Sequence, residues 1–382
     1  MLRRDMTHHA ELAPRRGRWL IAAPLILVLV LAAAWSGVWF YAARGAQVLV
    51  DDWRAEQSKA GRMFTCGTQG IGGYPFRIEV RCGDVGVELK DTQPPIALKL
   101  KQILIVAQVW DPNFLIAEFT GPLTASDPGQ PAYVTADWTL AQASVRGTPS
   151  APDRASISVD GLKFDDPAKR LAHAQHAEFH ARVQFGSWPH NPAIDLVVKL
   201  AGATAPGLIP FAKEPSDIDI VAVLHGMKDL APKPLPVRLR EWQAASGRLE
   251  VQSARLAQGD ALATAAGTLA LSPRGRLDGA LRLTAAGAER FIPALGGDKR
   301  GAPLNLDRAA PALGAIERAV PGISGAIRIA PAQQNQLQSG LLALLGQSTT
   351  LEGKPAVAIP VKFTDGAATL GPIPLGQVPP LF

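Results

Sequence analysis

Hydrophobic spacing changes character twice along the chain. From Trp19 to Ala43 no residue is charged. A helix of 25 residues rises roughly 37 Å, enough to cross a hydrocarbon core of about 30 Å with tilt. The run has no polar face, which argues against a buried helix of a soluble domain. It predicts a transmembrane anchor over 19–43, with Pro24 near the start, where a helix tolerates proline best. Trp19 marks one end, and Trp35, Trp39 and Tyr41 cluster at the other, the placement expected of aromatics at two membrane interfaces. Arg3, Arg4, Arg15, Arg16 and Arg18 precede the run, so residues 1–18 read as a basic cytoplasmic tail and the rest as lying on the opposite side. A cleaved signal peptide is the competing reading, with small residues near Ala42 and Ala46 as its cut site. It fits less well, because the run exceeds the 7–15 apolar residues of a signal core.

Residues 44–65 carry a weaker helical pattern. Val48, Leu49 and Trp53 form an apolar stripe against Asp51, Asp52, Arg54, Glu56 and Lys59. This predicts a helical stalk. Beyond Cys66 the period becomes two. Ile78, Val80 and Cys82 alternate with Arg77, Glu79 and Arg81; Val85, Val87 and Leu89 alternate with Gly86, Glu88 and Lys90. Similar runs follow at AYVTADWTLAQASVRG, RASISVDGLKF, AEFHARVQF, AIDLVVKLAG and SDIDIVAVLHG. They are strands separated by turn clusters such as DTQPP and WDPN. From 241 to 287 short alternating strands and Gly-containing turns predict an antiparallel meander. DRAAPALGAIERAV and QQNQLQSGLLALLGQ read as short helices. Asp365-Gly366 between two apolar runs is a hairpin signal. The fold class is therefore mainly β with a few helices: an N-terminal transmembrane helix, then a long, curved antiparallel sheet with an open groove, over 66–382. If that region divides into sub-domains, the break falls near 230–240.

Composition supports this reading. Hydrophobic residues make up 47% and charged residues 19% of the 382 residues, enough to bury a core. The 36 glycines and 32 prolines imply many turns. Half of the net charge of +6 lies in the first 18 residues. After them no basic run with interleaved aromatics suggests a nucleic-acid partner. The two cysteines, Cys66 and Cys82, flank a Gly-rich turn and a strand that can fold back. A structural disulfide across that loop is worth about 3 kcal/mol in the chain-entropy model. A redox pair would favour Cys-x-x-Cys spacing.

GGYPFRIEVRC at 72–82, the Trp- and Gly-containing meander at 242–287 and the tail DGAATLGPIPLGQVPPLF resemble the DUF2125 family of alphaproteobacterial proteins. The resemblance implies an envelope compartment and a β-rich shape, and carries no catalytic residues. GTLALSPRGRLDGALRLTAAG is similar to strand–turn–strand units of AsmA-like envelope proteins. That similarity implies lipid traffic or envelope biogenesis.

Candidate chemistry is sparse. His173, His176 and His180 have helical metal-ligand spacing, but they sit in a strand pattern. There His176 and His180 share a polar face with Glu178 and Arg182, so no metal site is expected. Asp165 with Asp166, and Asp217 with Asp219, read as turn or strand-face acids. No G-x-S-x-G, H-E-x-x-H, Walker A or Rossmann fingerprint occurs. Tyr74, Pro75 and Phe76, between the cysteines, form either a contact tip or a packed turn. The expectation is a non-enzymatic protein of the bacterial inner membrane. It has no cofactor, its bulk is periplasmic, and its ligand is a phospholipid or other acyl chain. The alternative is a membrane-tethered scaffold for an envelope protein partner.

Overall fold

A computed structural model describes residues 16–90, 94–148, 151–167, 170–187, 192–206, 212–230, 233–287, 346–371 and 373–382. The expected helix at 307–320 lies outside them. So does the one at 333–347, apart from its last two residues.

The apolar run and the stalk form one helix, α1 (Arg16–Lys59). Residues 62–65, expected in the stalk, are already strand: Gly61 has a φ of 79°, which only glycine adopts at little cost, and it ends the helical path. The strands follow as β1 (Arg62–Gly72), β2 (Arg77–Leu89), β3 (Ile96–Gln108), β4 (Asp111–Ser126), β5 (Ala132–Asp137), β6 (Leu140–Thr148), β7 (Ala151–Asp165), β8 (Arg170–Val183), β9 (Ala193–Ala203) and β10 (Ser216–His225). Helix α2 (Leu235–Ala244) intervenes. β11 (Arg248–Gln258), β12 (Ala261–Leu271), β13 (Leu277–Ala286), β14 (Gln347–Leu351), β15 (Lys354–Thr364), β16 (Ala367–Leu370) and β17 (Ile373–Gln377) complete the order.

All 17 described strands belong to one sheet, and every pairing in it is antiparallel. From β1 to β4 each strand pairs with the next. β5 and β6 then share one position. Both pair with β4 and with β7, at opposite ends, and Trp138 marks the break between them. The Trp138 indole N–H donates to the Phe119 carbonyl at 2.8 Å, tying the break to β4. The sequence order resumes from β7 to β13. β15 pairs with β13, β14 and β16, and β17 closes the order beside β16.

Left-handed residues interrupt this regularity, among them Asp84 (φ 51°), Gly161 (φ 63°) and Gly202 (φ 58°). At Asp84 and Gly161 the apolar alternation changes parity, from Val80 to Val85 and from Ile157 and Val159 to Leu162 and Phe164. The neighbouring ladders keep their register through these points and leave Asp84 and Gly161 without a ladder partner, and beyond them the apolar side chains stand on the same face again. Cys66 and Cys82 flank the first of these points. Their Cα atoms lie 5.5 Å apart and their sulfurs are bonded, closing the β1–β2 hairpin.

Helix α2 corrects the reading of 241–247 as the start of a strand. Pro234 and Pro236 begin a helix well and cannot donate to a ladder. Trp242 is buried, and its indole N–H donates to the His225 carbonyl at 2.7 Å. A Cβ on Gly247 would lie 2.2 Å from that indole nitrogen, so only glycine lets β11 start here. Despite α2, β10 pairs directly with β11.

Replacing both cysteines with serine should lower apparent stability by about 3 kcal/mol. Chemical denaturation of the detergent-solubilised chain, followed by circular dichroism, measures this. Gly247→Ala should lower the transition midpoint in the same assay, and Trp242→Ala should relieve its clash while adding a cavity cost of about 3 kcal/mol.

Candidate functional site

In an antiparallel ladder, directly paired residues lie on the same face. A row of partners can therefore be followed across the sheet. One row reads Ile71, Val80, Ile105, Ala117, Ala143, Ile157, Phe179, Val198, Ile220, Ala254, Ala265, Leu283 and Ile359. No member is polar. A parallel row two residues along reads Ile78, Ala107, Leu115, Val145, Ala155, Ala181, Leu196, Ala222, Val251, Gly267, Leu281, Val361 and Leu370. A third, on the other flank of the first, runs from Ile103 and Phe119 through Leu200 and Ile218 to Ala285 and Val357. These rows make one apolar lane, three residues wide. At about 4.8 Å per strand, its thirteen strands span about 58 Å along the sheet.

The adjoining row on the opposite face has a different chemistry. It reads Arg81, Leu104, Glu118, Gln142, Ser158, Glu178, Lys199, Asp219, Arg255, Thr264 and Thr284. The next row on that face is mixed, with Glu79, Ser144, Ser156 and His180 beside Val106, Ile116, Val197 and Val221, so one face is apolar and the other polar to mixed.

The lane is covered at its two ends. At the β15–β16 end, Ile359 and Leu370 are buried with Leu283, Val357, Val361 and Leu375 around them. At the β1 end, α1 lies against it: Trp39 and Ala43 are 6% and 9% exposed and pack with Ile71, Ile78, Val80 and Val109. Trp53 meets Phe64 further along, with ring centroids 4.6 Å apart. Between these ends the large side chains are open from β4 to β8, with Ile157 46% and Phe179 38% exposed, and Ala222 and Val251 further along are buried. The apolar helix therefore adjoins the start of the apolar lane.

The Tyr74-Pro75-Phe76 turn is held by α1. The Trp35 indole donates to the Pro75 carbonyl and the Trp39 indole to the Arg77 carbonyl, each at 2.8 Å. Ser36 Oγ lies 2.8 Å from the Tyr74 hydroxyl. Trp39, expected among the aromatics at a membrane interface, packs between helix and sheet; Tyr41 is exposed. The side chain of Trp19 lies outside the described residues. Sequence reasoning missed Trp110, whose ring lies 6.4 Å from that of Phe76. Its only sequence signal was its place in the WDPN turn.

The histidines lie in β8. His176 and His180 are on the polar face, where Nδ1 of His176 meets Asp160 at 2.5 Å and its Nε2 meets Glu178 at 2.9 Å. His180 contacts Ser156 at 2.9 Å and Glu178 at 3.2 Å. His173 pairs with Lys163 and forms a backbone bridge to Thr204. Among the described residues, no group of three His, Cys, Asp or Glu side chains could hold a metal ion. Asp165 bonds Arg170, and Asp217 accepts the Gly202 N–H, so these acids serve turns and strand ends.

The architecture defines a class: an N-terminal apolar helix joined to one open antiparallel sheet with a continuous apolar face. Residues 39–379 match the family described as "Uncharacterized protein conserved in bacteria (DUF2125)", and the chain belongs to that family. No curated protein and no solved structure matches it.

The bond to Glu178, and then the one to Asp160, favours the imidazolium and raises His176 above its ordinary value of 6.5. His176, and then His180, holds Glu178 below its ordinary 4.5. Stabilisation from His176 is complete below about pH 6.5 and is lost as pH rises through the raised native value. That from Glu178 is present above about 4.5 and is lost as pH falls through the lowered native value. The cluster contributes most between those limits. An NMR titration of imidazole resonances should show His176 titrating above 6.5, and Glu178→Gln should move it down.

Proposed function

We propose that this is a non-enzymatic, single-pass protein of the bacterial inner membrane. In this reading its N-terminus is cytoplasmic, its sheet is periplasmic, and the apolar lane receives the acyl chains of phospholipid. One observation carries the proposal: an uninterrupted apolar face, open at Leu115, Val145, Ile157 and Phe179, begins where α1 packs on β1 and β2. Each methylene moved from water to such a surface gains about 0.8 kcal/mol. Sequestering a chain therefore needs no catalytic group, only sustained apolar contact. The lane is about 58 Å long, against about 30 Å for both leaflets of a hydrocarbon core, and so is longer than an acyl chain of one leaflet. The arginines ahead of α1 favour a cytoplasmic N-terminus. The Cys66–Cys82 disulfide fits an oxidising compartment. The similarity of 267–287 to strand–turn–strand units of AsmA-like proteins points the same way.

Faces of the sheet can be tested separately. A photo-crosslinking amino acid placed at Ile157 or Phe179 should capture phospholipid in intact membranes. The same probe at Ser158 or Glu178, on the opposite face, should not. Crosslinks from both lane positions to a protein alone, whether a partner or the chain's own 288–345 segment, would overturn the lipid reading. A single stoichiometric partner captured there would favour the scaffold instead.

A further inference from the structure

The junction of α1 with the sheet indicates where the membrane surface lies. The uncharged run of α1 is longer than a bilayer core requires. Residues 19–36 alone rise about 27 Å, already close to the core thickness of about 30 Å. The remainder of the run is engaged by protein. Trp39 and Ala43 are buried against the sheet, and Trp35 and Ser36 bind the 74–76 turn. That turn therefore stands at the height of helix residues 35–40. Exposed aromatic rings gather at this height: Tyr74 is 56%, Phe76 59% and Trp110 60% exposed. The Tyr74 ring packs against Trp39 and Phe40 of α1, and the Phe76 ring against Trp35. Tyr74 and Trp110 have an apolar body and a polar tip, and such rings, exposed beside the end of a membrane helix with the apolar Phe76 ring between them in sequence, suit the boundary between headgroups and acyl chains.

We propose that Tyr74, Phe76 and Trp110 insert into the headgroup–acyl boundary of the phospholipid leaflet from which α1 emerges. The hydrocarbon span then ends near Trp35 and Ser36, and the sheet rests on the bilayer by its β1–β2 and β3–β4 turns. The proposal rests on the membrane-anchor reading of α1 and does not depend on the acyl-chain reading of the lane.

The full chain, reconstituted in phosphatidylcholine–phosphatidylglycerol vesicles, carries a nitroxide at one position at a time through Val30→Cys, Phe76→Cys, Trp110→Cys or Gln130→Cys. The native cysteines are paired and do not react. Collision rates with oxygen and with a water-soluble nickel chelate report depth. Expected are a deep label at 30, interfacial labels at 76 and 110, and a fully aqueous label at 130, an exposed turn beyond the far ends of β4 and β5. Labels at 76 and 110 as aqueous as that at 130, with 30 deep, would overturn the proposal and leave the anchor standing. An aqueous label at 30 would overturn both. If labelling at 110 abolishes the thermal transition, quenching by bromine-labelled lipid gives the same depth. Trp110→Phe should reduce that quenching, and an unchanged value would overturn the proposal.

Discussion

Everything in this molecule depends on the antiparallel register holding one set of side chains on one face across the sheet. Partners across each ladder share a face, and side chains alternate with a period of two. Ile157 opposite Phe179, and Phe179 opposite Val198, are thus fixed by the same hydrogen bonds that fix Ser158 opposite Glu178 and Glu178 opposite Lys199. A slip of one residue at any ladder would turn the polar row into the lane from that strand onward. The parity changes at Asp84 and Gly161 are compensated by left-handed residues, so the apolar face continues past them.

A sheet of this kind has little conventional core. The described residues bury two small hydrophobic clusters, one at each end of the lane. Order elsewhere comes from the ladders and from polar ties along the strand ends. Arg255 and Glu352 bond at 2.8 Å, and Gln258 Nε2 donates to Ser216 at 2.9 Å. Lys233 bridges Asp229 and Glu241 beneath α2 at 2.7 and 2.8 Å. The first two contacts link segments distant in sequence, and the third braces the connection between β10 and β11.

The helix and the sheet meet through indole donors as well as apolar packing. Trp35 and Trp39 satisfy the Pro75 and Arg77 carbonyls, so the first hairpin is oriented by α1 before the long meander begins. The apolar face is thereby placed against an apolar helix.

The sequence by itself determined the elements whose signal is local. The uncharged run of 19–43, the alternation in β2, β8 and β12, the turn at Asp365-Gly366 and the two flanking cysteines each express a preference that needs no distant partner. The polar placement of His176 and His180 followed from the same alternation. Tertiary structure decided what depends on pairing. Helix α2 replaced an expected strand start because Trp242 buries itself against the β10–β11 connection. Trp39 became a packing residue because β2 offers it a carbonyl and an apolar surface. Most of all, which alternate residues share a face with those of the next strand is set by register, which a single strand does not encode. The lane is therefore written in the sequence only as separate short alternations, and it becomes one surface when the ladders align them.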